Sequence, residues 1–321
     1  MSKLVLIDGN AIMHRAYHAL PPMTSKDGKP INAVYGLVSM LLKVITDLKP
    51  THIAFAFDRK EPTFRHKELP EYQAQRPKMD KDLDTQFEIA KNVIGAFGIP
   101  LYDKAGYEAD DILGTIAHKS GRVKEYKSKS RTPTLPLSRS STLIDEIVVV
   151  TGDRDMLQLV SDRDRVKLYM PVKGLSEAKL FGRQETIERM GVPPKQIVDY
   201  KALVGDPSDN YKGVPGIGPK TAIKLLKEYG TLDKIYKDLD NLPSSTKSLL
   251  QKSKDSAYVS QKLAQIVQDV DMDINIDEMS KWQLDSPKVL SSFEEIGFKT
   301  LTKRVKELGK KLEAEKQMNL L

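Results

Sequence analysis

Three short apolar runs that end in aspartate constrain this chain more than any other feature. Residues 4–7 (LVLI) lead into Asp8-Gly9-Asn10, residues 52–57 (HIAFAF) end at Asp58, and residues 147–150 (IVVV) continue into Thr151-Gly152-Asp153-Arg154-Asp155. Runs so short and so uniformly apolar read as strands buried on both faces. Between the first two, apolar positions recur at helical spacing over residues 31–48, and Pro50 closes that helix. Strands alternating with helices predict an α/β fold with a parallel sheet. Ligands of such sheets sit at the carboxyl ends of the strands, where these aspartates fall. After Gly182 the strand signals stop and helical patterns run to the end, so a second, all-helical unit is expected.

More acids join the three. Glu108, Asp110 and Asp111 lie in Gly-Tyr-Glu-Ala-Asp-Asp at an expected helix start. Asp153 and Asp155 face the same way if the strand continues through them. Asp206 and Asp209, in Gly-Asp-Pro-Ser-Asp-Asn, are one helical turn apart. Taken singly, each has a structural reading as a helix cap or a favourable charge at a helix N-terminus. Strand-terminal acids at one sheet edge must approach each other, however, and two like charges ~4 Å apart cost about 4 kcal/mol at an effective dielectric near 20. Such a cluster needs protons or cations. Oxygen ligands without His or Cys point to Mg²⁺ or Mn²⁺, and two such ions suit in-line attack of water on a phosphodiester.

Composition narrows the chemistry further. The 321 residues contain no cysteine, which excludes disulfides, thiolate zinc sites and cysteine nucleophiles. The five histidines (His14, His18, His52, His66, His118) have neither H-x-H nor H-E-x-x-H spacing. No apolar run approaches the roughly 18 residues that span a bilayer, and the N-terminus meets aspartate too soon for a signal peptide. A soluble, cytoplasmic protein without membrane partners is expected. The net charge of +7 arises mostly from residues 119–139, which hold seven basic residues and one acidic, so the basic balance alone says little about partners.

Residues 213–222 (GVPGIGPKTA) form a compact glycine hairpin leading into a helix. Gly213, Gly216 and Gly218 permit close backbone approach, while Lys220 and Thr221 stand at a helix N-terminus able to hold a phosphate. Such contacts read backbone shape and charge, not base sequence.

These motifs together resemble the 5′-nuclease (flap endonuclease) family, most closely the N-terminal 5′→3′ exonuclease domain of bacterial DNA polymerase I. The matching strings are LIDGN, FAFDRKEPTFRH, GYEADDILGTIA, VTGDRDMLQLVSD, YKALVGDPSDNYKGVPGIGPKTA and LLKEYG, in family order over about residues 3–298. The resemblance implies a PIN-like parallel-sheet core over 1–182 with a helical arch at about 60–81. A helix–hairpin–helix DNA-binding domain over 183–298 follows, then a basic helical tail over 299–321. It implies two divalent ions, potassium at the hairpin, and cleavage of DNA flaps, 5′ ends and RNA primers in replication and repair. Carried over by position, Asp8, Asp58, Glu108, Asp110, Asp111, Asp153, Asp155, Asp206 and Asp209 are the metal-site acids, directly or through water. Tyr72 and Arg76 match arch positions that meet the flap and the scissile phosphate, and Lys201 matches a DNA-contacting lysine.

One position departs from the family pattern. A lysine usually follows the arch tyrosine, and here Gln73 stands there, so a slower enzyme is expected. Residues 119–142 read as a mobile surface insertion, with an extra DNA-gripping arm as the alternative. The terminal Gln317-Met318-Asn319-Leu320-Leu321 resembles the pentapeptide by which bacterial proteins dock on the sliding clamp, as a disordered tail with apolar anchors. The chain is expected to be a monomer, either a free-standing nuclease or part of a larger polymerase. Two rivals remain: a non-catalytic branch-binding protein, which should have lost several of these acids, and a PIN-type ribonuclease, which has no use for a duplex-gripping hairpin.

Overall fold

The computed structural model describes residues 1–129, 144–174 and 177–318. One six-stranded sheet runs in the order β3-β2-β1-β4-β5-β6, built from β1 (Lys3–Asp8), β2 (His52–Ala56), β3 (Leu101–Tyr102), β4 (Glu146–Val150), β5 (Val166–Lys173) and β6 (Glu177–Phe181). The first five neighbours are parallel, and β6 closes the edge antiparallel to β5. The sheet is therefore mixed rather than wholly parallel. The outer strands β3 and β6, and β5 beside the edge, lack the uniform apolar run that marks β1, β2 and β4, so the sequence pattern does not reveal them.

Alternation in the central strands divides the core in two. Leu4, Leu6, Ala54, Ala56, Ile147 and Val149 face one hydrophobic cluster; Val5, Ile7, Ile53, Phe55, Val148 and Val150 face the other. The second cluster is covered by α1 (Gly9–Ala19), α2 (Asn32–Leu48) and, after the five-residue α3 (Phe64–Glu68), by α4 (Lys81–Ala96). Lys49, in the left-handed region, ends α2 just before Pro50. The first cluster is covered by α5 (Ala109–Lys129) and passes without a break into the helical part of the chain, where Ala202, Leu203, Val214 and Leu226 belong to the same cluster.

The helical part comprises α6 (Arg183–Met190), α7 (Ile197–Val204), α8 (Pro219–Tyr229), α9 (Leu232–Lys237), α10 (Ser244–Lys252) and α11 (Lys254–Ala264). The chain then straps back along the core, where Gln283 N–H donates to Phe97 O at 2.8 Å. The last helices, α12 (Pro287–Ile296) and α13 (Lys299–Met318), pack on α4 and α2. By packing, α12 thus belongs with the sheet-containing core, although the sequence pattern groups it with the helical unit.

Three expectations are revised at this level. The arch segment at 60–81 is mostly turns, with α3 its only helix apart from the first residue of α4. Helix α5 continues through Lys129, into the stretch read as a loop insertion, whose residues 130–143 lie outside the described ones. Helix α13 reaches Met318, so Gln317 and Met318 of the terminal pentapeptide are helical, and its last three residues lie outside the described ones. Among the described residues, no helix is long and apolar enough to cross a membrane.

Candidate active site

Register brings the first acids together. Asp8 pairs with Ala56 across β1 and β2, and Ile7 with Val150 across β1 and β4, so the three strands end flush. The connection leaving β1 runs towards β2 and that leaving β4 runs the other way, towards β5, which makes the crevice where α/β sheets bind ligands. Asp8 is fixed from both sides: Ala11 N–H donates to its Oδ1 at 2.9 Å, capping α1, and Thr151 Oγ1 donates to its Oδ2 at 2.7 Å. Asp58 accepts from Ala109 N–H at 2.7 Å and so holds the start of α5. The capping reading of these aspartates is correct, and it is also what aims them.

Beyond β4 the strand does not continue. Asp153 and Asp155 sit in a tight turn, Asp153 N–H donating to Thr151 Oγ1 (3.0 Å) and Asp155 N–H to Asp153 Oδ1 (2.8 Å). Asp206 and Asp209 are likewise not on a helix but in a turn closed by the Asp206–Tyr211 backbone pair. Oxygens of Asp155, Asp206 and Asp209 lie within 4.8 Å of one another, close enough to share one cation.

A cavity of about 800 Å³ is lined by Asp8, Asp58, Glu108, Asp110, Asp153, Asp155 and Asp209. Arg59, Lys60, Arg76 and Lys78 line the same cavity, with His14 and His18 of α1 beside them. Burial, and then mutual repulsion, push the acids up. Asp8, Glu108 and Asp155 titrate at about 7, Asp58 and Asp209 are raised, and Asp110, facing Asp153, Asp8, Asp58 and Glu108, is raised well above the carboxylate range. Carboxylates crowded together with so little countercharge fit hard divalent cations.

Asp111 does not belong to this group. Its carboxylate is fully buried and takes Arg65 Nη1 and Nη2 at 2.7 and 2.9 Å, Val267 N–H at 2.9 Å and Glu108 N–H at 3.1 Å. With four donors on two oxygens it has no lone pair directed at the cavity, and its role is to hold Arg65. Arg65 also donates to Leu263 O and Gln265 O, which ties the arch foot, α5 and the end of α11 together. A buried arginine has no sequence signature apart from its neighbours, and sequence reading passed it over.

The arch residues turn inward. Tyr72 is buried, its hydroxyl 3.4 Å from both Glu108 and Asp209. Asp209 also receives Gln73 Nε2 at 3.2 Å and Arg76 Nη2 at 2.6 Å. Gln73 occupies the left-handed region, with φ of 55°. Lys201 Nζ lies 2.7 Å from Asp155 Oδ1 and is also paired with Asp206. Burial alone would raise Asp206, yet the Lys201 and Ser208 contacts bring it below the usual range.

At the hairpin, Gly205 and Gly213 cross backbone to backbone, both at positive φ; a Cβ on Gly213 would stand 2.4 Å from Gly205 N. Gly213 is therefore an internal packing glycine, whereas Gly216, Gly218, Lys220 and Thr221 are exposed at the start of α8. The turn is fixed by Val214 N–H to Leu203 O and Ile217 N–H to Val214 O, both 2.9 Å.

An acid-lined sheet edge joined to a helix–hairpin–helix element places the molecule in the class of PIN-like nucleases with an appended helical module. Family models agree over most of the chain. Residues 3–191 match the 5′-3′ exonuclease N-terminal resolvase-like domain, and residues 192–287 match the 5′-3′ exonuclease C-terminal SAM fold. The chain belongs to the 5′-3′ exonuclease family. It is 36% identical to DNA polymerase I of Caldicellulosiruptor bescii over 94% of its length and 37% identical to that of Pseudomonas aeruginosa over 97%. It spans about a third of those relatives, 33% in each case. In fold it is similar to bacteriophage T5 5′-exonuclease with bound zinc (TM-score 0.64, 20% identity, 95% and 97% of the two chains). It is also similar to the catalytic core of Rad2 in complex with DNA substrate (TM-score 0.52, 16% identity, 94% and 89%).

Proposed function

We propose that this chain is a divalent-metal-dependent, structure-specific 5′-nuclease that hydrolyses phosphodiesters at DNA 5′ ends and flaps, including RNA primers, during replication and repair. The observation that carries this reading is the convergence of seven carboxylates, from three strand ends and two further segments, on one cavity that is also lined by cationic side chains. Asp8, Asp58, Glu108, Asp110 and Asp153 would hold one ion, and Asp155, Asp206 and Asp209 the other. When bound, a pair of Mg²⁺ or Mn²⁺ ions lowers the pKa of the attacking water and steadies both oxygens of in-line displacement.

The chain's own residues prepare the rest. Arg76 donates to Asp209 from a half-exposed position and is placed to transfer to a phosphate oxygen. Tyr72, its hydroxyl pushed up by burial and by Glu108, stays protonated and serves as a donor only. The exposed start of α8, with Lys220 and Thr221, would hold the duplex backbone. Potassium, which the family resemblance puts at the hairpin, would lie at the closed Gly213–Ile217 turn.

Cleavage of a 5′-labelled double-flap DNA with Mg²⁺, beside Asp153→Ala and an EDTA control, tests this reading. Metal-dependent cutting near the junction, lost in the variant, is expected. Tight flap binding without cutting under any divalent ion would overturn it in favour of a branch-binding protein.

A further inference from the structure

The Asp155–Asp206–Asp209 pocket already contains a cation of the chain's own. Lys201 Nζ bridges Asp155 and Asp206 from inside the site, with only 14% of its side chain exposed. Its neighbour Tyr211 supplies a second sign of an exchangeable occupant. Tyr211 is only 5% exposed, its hydroxyl has no hydrogen-bond partner among the described residues, and the charges of Asp155, Asp206 and Asp209 all act on it. A buried hydroxyl without a partner is costly, and a hydrated ion among these three carboxylates would satisfy it. An ammonium supplies one charge and no hydration shell, so it bridges two of the acids without neutralising both and leaves the tyrosine unpaired.

We propose that Lys201 is the resident counter-cation of this pocket, that its ammonium leaves when a divalent ion enters, and that the freed ammonium takes up a phosphate of the bound nucleic acid. This rests on the reading of the site as a metal-dependent nuclease. A divalent ion held by Asp155 and Asp206 would need the same carboxylate oxygens that Lys201 Nζ now occupies, so the two compete for one place. Lys201 is tethered on α7, the helix that leads into the exposed hairpin, so the released charge stays beside the polyanion's path. Ion and nucleic acid therefore bind cooperatively here, and by linkage each tightens the other by the same factor, about tenfold.

The test uses the whole chain and Mn²⁺ as probe, followed by calorimetry and by mass-spectrometric acetylation of lysines. In the DNA-free protein, Mn²⁺ should bind at two sites, one weak, and Lys201 should pass from protected to reactive as the weak site fills. Adding flap DNA should tighten the weak site about tenfold and protect Lys201 again. Lys201→Met should tighten Mn²⁺ at that site without DNA and abolish the tightening by DNA. Two-site Mn²⁺ binding with unchanged Lys201 reactivity overturns the exchange and leaves the nuclease reading intact. Absence of any Mn²⁺ binding overturns both. If Lys201→Met does not fold, the labelling of the unaltered protein decides alone.

Discussion

Arg65 and Asp111 meet in a two-pronged ion pair, at 2.7 and 2.9 Å, with both side chains almost wholly shielded from solvent. The pair lies directly behind the acid cavity, and it separates the carboxylates that build the fold from those that face the substrate. Removing one partner of a buried pair leaves the other charge uncompensated, at a cost of about 3–5 kcal/mol. Asp111→Ala should therefore lose about that much stability in denaturant unfolding, whether or not divalent ions are present.

Asp110, one residue earlier, should behave in the opposite way. It faces four other acids and holds its proton far above the carboxylate range, burial being the first cause. Asp110→Asn should raise the melting temperature of the ion-free protein while nuclease activity falls to background. Melting curves in EDTA beside a flap-cleavage assay read both effects, and a destabilised Asp110→Asn would contradict the assignment.

The same crowding gives the ion-free protein an unusual pH dependence. Burial pushes Asp8, Glu108 and Asp155 up to about 7 in the fold, against ordinary values of 3.8 for the aspartates and 4.5 for the glutamate. Between those limits the folded chain binds more protons than the unfolded one, so stability is lost as pH rises through 7. In EDTA, Tm should fall from pH 5.5 to pH 8. Mg²⁺ should raise Tm more at pH 8, where the acids are ionised, than at pH 5.5.

Gln73 offers a gain-of-function test. Its amide donates to Asp209, beside Arg76 on the same oxygen. A lysine there would bring a full charge to the place where phosphate charge develops. Gln73→Lys should raise single-turnover cleavage several-fold, and an unchanged rate would show that Arg76 already fills the role.

The hairpin glycines separate by position. Gly205 has φ of 73°, and a Cβ would stand 2.5 Å from the Lys212 carbonyl carbon, backbone that cannot give way. Gly205→Ala should cost on the order of 2–3 kcal/mol. Gly218, with open space around it, should cost about 1 kcal/mol or less on the same change. Thermal unfolding of the two variants makes the comparison.

The acids at the strand ends were legible because a buried parallel strand must be uniformly apolar, so a carboxylate at its end stands out. Asp8 and Asp58 needed no more than that. Asp111 was misassigned because spacing at a helix start does not say which way a side chain points; that was decided by Arg65, from a segment 46 residues away. Lys201 was read as facing DNA, and its place between Asp155 and Asp206 depends on two turns whose geometry leaves no periodic trace. The strands β5 and β6 escaped notice for a related reason: towards this edge of the sheet lysines interrupt the apolar residues, and the signal of a buried run is lost.

The flush ends of β1, β2 and β4 also make the apolar core a measuring device for the chemistry. A strand advances about 3.3 Å per residue and reverses its side chains at each step. Slippage of β4 by one residue against β1 would carry Thr151 off Asp8 and move Asp153 by a full ligand distance. It would also turn Val148 and Val150 away from the cluster they now fill. Errors of alignment at the acids are thus penalised by the oil behind them, and conservative substitutions such as Val148→Ala, remote from any carboxylate, become mutations of catalytic tolerance.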